Sequence, residues 1–368
     1  MNRYIIQYYS KTRVALAKRD KQQKFPIYQW VFKYPNLQNY ELIIALRDKI
    51  KKTDNVQLHT GLNIIADIKA GSEEEARDVS KNFVETLLNL ISFSTVTYCD
   101  SSILVSAISI TDGESHPFQY YVYPFEEQEI LNSLIHIEES TFGRIFDAYY
   151  KSSYKPRVLR TLTWLRQGID GENATDKFLS YWLGLEVIKH VLPPEKSNSD
   201  EEWEKVEEIF TKELHSKNFK KIKQDGRNGL VHGFRQLDNE FVKEIGSYVE
   251  PIRKTLIYCI GSVLGLEDNI LSTIANKTPH RIENARWSVL KGNLKNLPRE
   301  FSELVKNYPT IEAEVVHEQF SIDQEGKLAV KSKIDHHFSG RSDTKWELRE
   351  IEQWASKDAG IDRVDLKR

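Results

Sequence analysis

Leu62-Asn63-Ile64-Ile65-Ala66-Asp67-Ile68, followed closely by Ser72-Glu73-Glu74-Glu75, carries the clearest change of period in the chain. In the first stretch Leu62, Ile64, Ala66 and Ile68 fall on one face of an extended backbone, as a half-buried strand requires. In the second, Ser72 is placed to cap a helix and Glu75 to reach back, with three acids at the positive end of the helix dipole. Ala76, Val79, Phe83, Leu87, Leu90 and Ile91 then recur at helical spacing. A strand giving way to an amphipathic helix predicts a helix packed on a sheet, and so an α+β chain.

Working outward, Tyr4 to Tyr9, Ile27 to Lys33, Ile103 to Ile110 and Phe118 to Tyr123 are rich in aromatic and β-branched residues and read as further strands. Residues 1–150 are therefore expected to form a mixed α/β domain, with a sensing or regulatory role. From 155 to 266 the pattern turns helical. Val158, Leu162 and Leu165 mark one helix, Asp176 to Glu186 a second, and Trp203, Val206, Phe210 and Leu214 a third. Gly226 to Gly233 opens a fourth, and Phe241 to Leu264 forms a long apolar helix with a bend expected near Pro251. Residues 281–368 are expected to form a small separate unit. There Trp287 to Tyr308 reads as mainly helical, Glu312–Phe320 and Lys327–Ile334 as a hairpin, and Trp346 to Trp354 as a last short helix.

The chain has 368 residues, 40% of them hydrophobic and 29% charged, and a formal net charge of -2. That length suits two or three domains with real cores. The charge excludes a general polycation, so any nucleic-acid contact must come from a local basic patch. Cys99 and Cys259 sit in apolar runs without metal-ligand spacing, which points to a reducing, cytoplasmic setting. No apolar run is long enough to span a bilayer, so no membrane association is expected. There is no phosphate-binding glycine loop of the nucleotide-hydrolase or dehydrogenase kind.

The most specific segment is Gly226-Arg227-Asn228-Gly229-Leu230-Val231-His232-Gly233. Arginine is a permanent cation that forks onto phosphate. Histidine exchanges a proton near neutral pH. With no carboxylate cluster beside them, the pair points to phosphodiester chemistry on RNA without a metal or other cofactor. Asn228 and His232 share a helix face. Arg227 and His232 are five apart, about 140° around an ideal helix. They are expected to converge only if Arg227 lies at or before a first helical turn, where free amides also favour a phosphate. Gly229 and Gly233 are read as leaving space for a phosphate backbone or a second copy of this helix. Between residues 217 and 235 six cations stand against one acid, Asp225. Lys220, Lys221, Lys223 and Arg235 are the candidate substrate-binding residues among them. The plainer reading of these lysines is a solvated helix face.

The helical block resembles the HEPN superfamily, most closely its Apea-like branch from bacterial defence proteins. The residues that carry the resemblance are Arg160-Thr161-Leu162-Thr163-Trp164-Leu165-Arg166-Gln167-Gly168, Asp176-Lys177-Phe178-Leu179-Ser180-Tyr181-Trp182-Leu183-Gly184-Leu185-Glu186 and Arg227-Asn228-Gly229-Leu230-Val231-His232-Gly233. It covers roughly residues 155–266. The resemblance implies an all-α bundle that forms a homodimer, with a composite ribonuclease site of toxin-like, antiviral character. It implies attack by the ribose 2′-hydroxyl, with His232 moving the proton, Arg227 stabilising the transition state and Asn228 orienting. RNA is the implied partner, and a regulatory protein or phage-derived trigger the implied control. The alternative is a non-catalytic dimerisation or protein-interaction module in which the motif is structural.

Other residues invite weaker readings. Asp335-His336-His337 suggests a metal site, but adjacent strand residues point to opposite faces, so a solvated strand is expected. Trp164 and Trp182 offer faces for bases, though their helical spacing favours the core. Glu186 lies in an apolar helix and is expected to pair with Arg160 or Arg166, with a catalytic role the second reading.

Overall fold

The computed structural model describes residues 1–16, 29–37, 40–52, 57–122, 134–192, 199–214, 218–232, 236–280, 287–322 and 328–354. The chain opens with β1 (Asn2–Ser10), the short β2 (Val14–Ala15), β3 (Gln29–Leu37), β4 (Tyr40–Lys52) and β5 (Gln57–Ala70). Helix α1 (Glu73–Thr95) follows, then β6 (Ile103–Ile110), β7 (Ser115–Val122) and the short β8 (Ile135–His136). The helical block runs through α2 (Glu139–Lys151), α3 (Lys155–Asp170), α4 (Ala174–Ile188), α5 (Ser199–Leu214) and α6 (Phe219–Lys221). A π-helix (Ile222–Asn228), α7 (Gly229–Val231), α8 (Asn239–Leu264) and α9 (Asp268–Ala275) complete it. Last come β9 (Trp287–Lys295), α10 (Phe301–Lys306), β10 (Thr310–Ile322), β11 (Leu328–Ser339) and β12 (Lys345–Trp354). The fold is α+β.

β1 lies within an eight-stranded sheet ordered β12-β9-β7-β6-β1-β5-β4-β3. Every neighbouring pair in it is antiparallel. The register of β1 on β5 sets Tyr4 opposite Ile68, Ile6 opposite Ala66 and Tyr8 opposite Ile64. The alternation seen in the sequence is therefore real: Leu62, Ile64, Ala66 and Ile68 are all buried in one core with Val84, Leu87, Leu88 and Ile91 of α1. The opposite face is buried too. Ile5, Tyr9, Ile65, Ile108 and Phe118 pack with Leu290, Leu304 and Tyr308.

The start of α1 follows its sequence. The Ser72 hydroxyl accepts from the Glu75 amide at 3.1 Å, and the Glu75 carboxylate accepts from the Gly71 amide at 2.6 Å. A hydrogen bond from the Tyr40 hydroxyl holds the same carboxylate. Hydrogen bonds to its charged form lower the Glu75 pKa, with Tyr40 the largest cause. Further along, α1 is buried almost all round, from Thr86 to Thr95. The first core continues through it without a break into α2, α3, α4, α5 and α8. The helical block thus shares its core with the sheet. A charged node ties the layers together. Arg166 of α3 donates to Asn89 at 3.1 Å, Glu85 at 2.8 Å and Ser101 at 3.1 Å. Glu85 also accepts from the amide and hydroxyl of Ser102, each at 2.6 Å.

Two expectations need correction. Residues from 281 onward are not a unit apart, because β9 pairs with β7 and β12 with β9. Trp287–Lys295 and Lys345–Trp354 are strands, not helices. Leu290 and Leu294 alternate into the second core, and the Trp346 ring lies edge-on to Phe118 at 5.0 Å. Tertiary pairing overrides the helix-forming Glu, Leu and Lys of these short runs. The expected hairpin is present as β10 and β11, with Ile311 opposite Phe338. α8 runs through Pro251 as one helix. Helix α2 was not foreseen, although Phe142, Ile145 and Tyr149 give it a buried face. Both cysteines are free and buried. Among the described residues no helix is long and apolar enough to cross a membrane.

Removing Arg166 leaves the partly buried Glu85 without its cation. We expect Arg166→Ala to lower stability by about 3 kcal/mol, as breaking a buried pair does. Arg144→Ala, which removes the exposed pair with Glu267 at 3.2 Å, is expected to change it by less than about 0.5 kcal/mol. Urea unfolding of both variants checks this, and equal losses would show that Arg166 is not a node.

Candidate functional site

The Arg227–His232 segment is held from beneath by aromatic rings. Phe219 is buried and stacks on Trp182 of α4, with centroids 5.7 Å apart at 19°. Trp182 in turn stacks on Trp203 of α5 at 5.1 Å and on Phe178 at 5.7 Å. Gly226 and Gly229 are buried and face inward. A Cβ on Gly226 would lie 2.9 Å from the Phe178 ring, and one on Gly229 would lie 2.8 Å from the Phe241 ring of α8. These glycines dock the segment between α4 and α8. That corrects the sequence reading of Gly229, since the space there is filled by Phe241 and not left for a ligand. Gly233 lies outside the described residues.

The backbone here is not an ordinary helix start. Ile222–Asn228 is a π-helix, whose i→i+5 bonds widen the turn, a feature frequent at functional sites. Asn228 is already helical, and the Gly229 amide donates to the Gly226 carbonyl. α7 continues the wider helix, so the expected N-terminus with free amides is not formed. His232 sits just past α7, at φ -99° and ψ 0°, where the chain leaves the helix. Its amide donates to the Asn228 carbonyl at 3.0 Å.

Arg227, Asn228 and His232 nevertheless meet. Nη1 of Arg227 donates to Oδ1 of Asn228 at 3.0 Å and to Nε2 of His232 at 2.7 Å. A guanidinium has only donors, so Nε2 of His232 is the acceptor and the ring proton resides on Nδ1. The long arginine side chain spans the separation that the backbone imposes. On its other side Nε of Arg227 donates to Oε1 of Glu186 at 3.3 Å, and that oxygen also accepts from Nε1 of Trp182 at 3.1 Å. Glu186 is thus the site residue that sequence reasoning misplaced. Neither expected partner holds it: Arg166 binds Glu85, and Arg160 is exposed on α3. The signal was the spacing of Trp182 and Glu186, one turn apart on α4, which puts a donor beside the carboxylate.

The basic flank is less open than its charge suggests. Lys220 lies 3.9 Å from Glu207 and Lys221 3.4 Å from Glu244. The Lys223 ammonium sits 4.9 Å over the Trp203 ring. Two of the three lysines therefore face acids, and the third an aromatic face. Arg235 lies outside the described residues. Next to the motif, between α3 and α4, runs an open groove of about 500 Å³ lined by Arg157, Arg160, Trp164, Leu183 and Glu186 among others. Trp182 is core, as expected, whereas Trp164 is only half-buried.

Two histidines away from the motif are engaged in contacts of their own. His190 pairs with Glu202 at 2.7 Å, and His116 Nδ1 accepts from the Thr111 amide at 3.1 Å. Asp335, His336 and His337 are exposed on β11. Among the described residues no three of His, Cys, Asp and Glu gather as a metal-binding group. In comparisons with known proteins, no family model, no characterised protein and no solved structure matches the chain.

Because Gly226 touches Phe178, Gly226→Ala is expected to cost about 1–3 kcal/mol through overpacking. Gly143 of α2 has nothing within 4 Å of a Cβ position, so Gly143→Ala is expected to add about 0.5–1 kcal/mol through helix propensity. Thermal unfolding of both reads the difference, and a neutral Gly226→Ala would remove the docking argument.

Proposed function

We propose that the chain is a metal-independent endoribonuclease of HEPN type, with Arg227, Asn228 and His232 as its catalytic residues and the helices of residues 155–266 as its catalytic bundle. The observation that carries this reading is the 2.7 Å contact between Arg227 and His232, made across a five-residue spacing that an ordinary helix would not close. A cation for phosphate and an unprotonated imidazole nitrogen then stand side by side.

The chemistry follows from that pairing. A bound phosphate competes for Arg227, and the guanidinium forks onto its oxygens. That frees Nε2 of His232 to take the proton of the adjacent 2′-hydroxyl. The 2′-oxygen attacks phosphorus, and the P–O5′ bond breaks. The products are a 2′,3′-cyclic phosphate and a 5′-hydroxyl, the latter formed once the leaving oxygen receives a proton. Arg227 stabilises the extra negative charge on the phosphorane-like transition state. Glu186, held by Trp182, keeps the guanidinium in place, and Asn228 orients it from the other side. One histidine supplies one proton-transfer group, whereas the step needs a base and an acid. A twofold homodimer through this bundle would supply both. Val231, beside His232, is 53% exposed and gives such an interface an apolar contact.

In this reading the protein is a cytoplasmic, toxin-like effector of antiviral defence. Its sheet senses a regulatory protein or phage-derived trigger. The second reading is a non-catalytic interaction module. It is favoured by the way Glu186, Asn228 and His232 already satisfy Arg227, as a purely structural cluster would.

Cleavage of RNA is expected to persist in chelator and to leave cyclic phosphate on the 5′ fragment. Arg227→Ala and His232→Ala are each expected to lose about 10²–10⁴-fold in rate while remaining folded. Activity abolished by chelator and restored by magnesium or manganese would overturn the mechanism. Folded alanine variants that cut at the parent rate would favour the interaction module.

The dimer makes a separate expectation. His232→Ala chains mixed into wild type should depress activity more than dilution alone, provided that subunits exchange. A fully active monomer in sedimentation with RNA bound would rule out the shared site.

A further inference from the structure

The groove between α3 and α4 carries a feature that the catalytic reading leaves unused. Arg157, Arg160 and Trp164 follow one another at helical i,i+3 and i,i+4 spacing, so they form one stripe of α3 along the groove. Arg157 and Arg160 are exposed. Neither guanidinium has an ion-pair partner among the described residues. Trp164 is half-buried, and across from it Leu183, 36% exposed, and Val187 extend the apolar floor. Glu186 is the acid in this lining, and Arg227 holds it at 3.3 Å. One wall of the groove is therefore a residue of the candidate catalytic cluster, and the two sites are continuous.

We infer that this groove is a binding subsite for one nucleotide of single-stranded RNA, next to the phosphate to be cut. The base stacks on Trp164 and a phosphate lies between Arg157 and Arg160. The inference rests on the ribonuclease reading and gives that site its substrate-positioning element. Three observations favour this occupant. The groove's volume of about 500 Å³ falls in the range of small-ligand sites. An aromatic face beside two cations that no described residue neutralises is what strand-binding proteins present to a base and its backbone. A second copy of the chain is a poorer fit, because covering two guanidinium groups that have no ion-pair partner among the described residues removes them from water at a cost. Arginine suits the role better than the flanking lysines, since its fork matches phosphate oxygens. Lys220 and Lys221 already face acids.

The test uses the full chain and a 5′-labelled 2′-O-methyl oligouridylate, which has no free 2′-hydroxyl and stays uncut, with affinity read by fluorescence anisotropy. Trp164→Ala is expected to weaken binding roughly 5- to 150-fold, the worth of one stacked base, and Trp164→Phe to retain most of the affinity. The double variant Arg157→Gln/Arg160→Gln changes only exposed side chains and should fold as the parent does. Its plot of log affinity against log salt should lose about 0.7–1.4 units of slope, for one or two phosphate contacts on a single strand. Parent-like affinity and slope in the double variant, or no binding by the parent, overturn the subsite even if the chain cuts RNA. Conversion of a dimer to a monomer by the double variant also overturns it, because the groove is then a self-interface. If the parent binds through these residues but cuts no RNA, the subsite stands and the catalytic reading fails.

Discussion

A helix that is buried around its whole circumference has to be packed, and its polar groups satisfied, on every side. From Thr86 to Thr95 every residue of α1 is buried, and the rest of the architecture answers to that demand. One side of α1 lies on the sheet face built by Tyr4, Ile6, Ile64 and Ile68, and the other meets α3 and the helices beyond it. Arg166 and Glu85 sit in this seam with Asn89 between them, so the middle layer is joined by charge as well as by packing. A pair of this kind contributes little net stability against an apolar alternative but penalises any slip that separates its members.

The same rigidity reaches the motif through aromatic rings. Phe178, Trp182, Phe219 and Trp203 form a stacked floor, Gly226 allows the π-helix to settle on it, and Gly229 of α7 packs on Phe241. Arg227 and His232 are thereby displayed on a segment that packs against Phe178 and Phe241. Positioned groups are worth more in a transition state when no reorganisation is needed to reach it. The exchangeable element is the arginine side chain, shared among Glu186, Asn228 and His232.

What the sequence made legible divides along physical lines. The β5 alternation and the Ser72 cap are local signals, and both elements formed as read. Helices α3, α4, α5 and α8 were equally clear, because each carries its own set of apolar residues. The C-terminal strands were not legible: Leu290 and Leu294 alternate over too short a run, and what makes β9 a strand is β7, far away in the chain. Within the site, Arg227, Asn228 and His232 were found by residue type and spacing. Glu186 was placed in the right helix with the wrong partner, since nothing local says which of several arginines reaches it. The π-helix was illegible for a similar reason. Its glycines look like turn or clearance signals until Phe178 and Phe241 are seen against them.

The position of the helical block within the sheet has a consequence for the order of assembly. Ser115 of β7 pairs with Lys295 of β9, so a long stretch of chain must be made before that edge is closed. A nascent chain that has emerged through residue 266 already carries the whole Arg227–His232 segment while β7 still offers bare amides and carbonyls. Such an edge is a template for mispairing until it is covered. Pairings between residues so distant in sequence are also slow to form. Completion of the sheet is thus a late event in synthesis, and the second core, on the sheet face away from α1, closes only when β9 and β12 arrive.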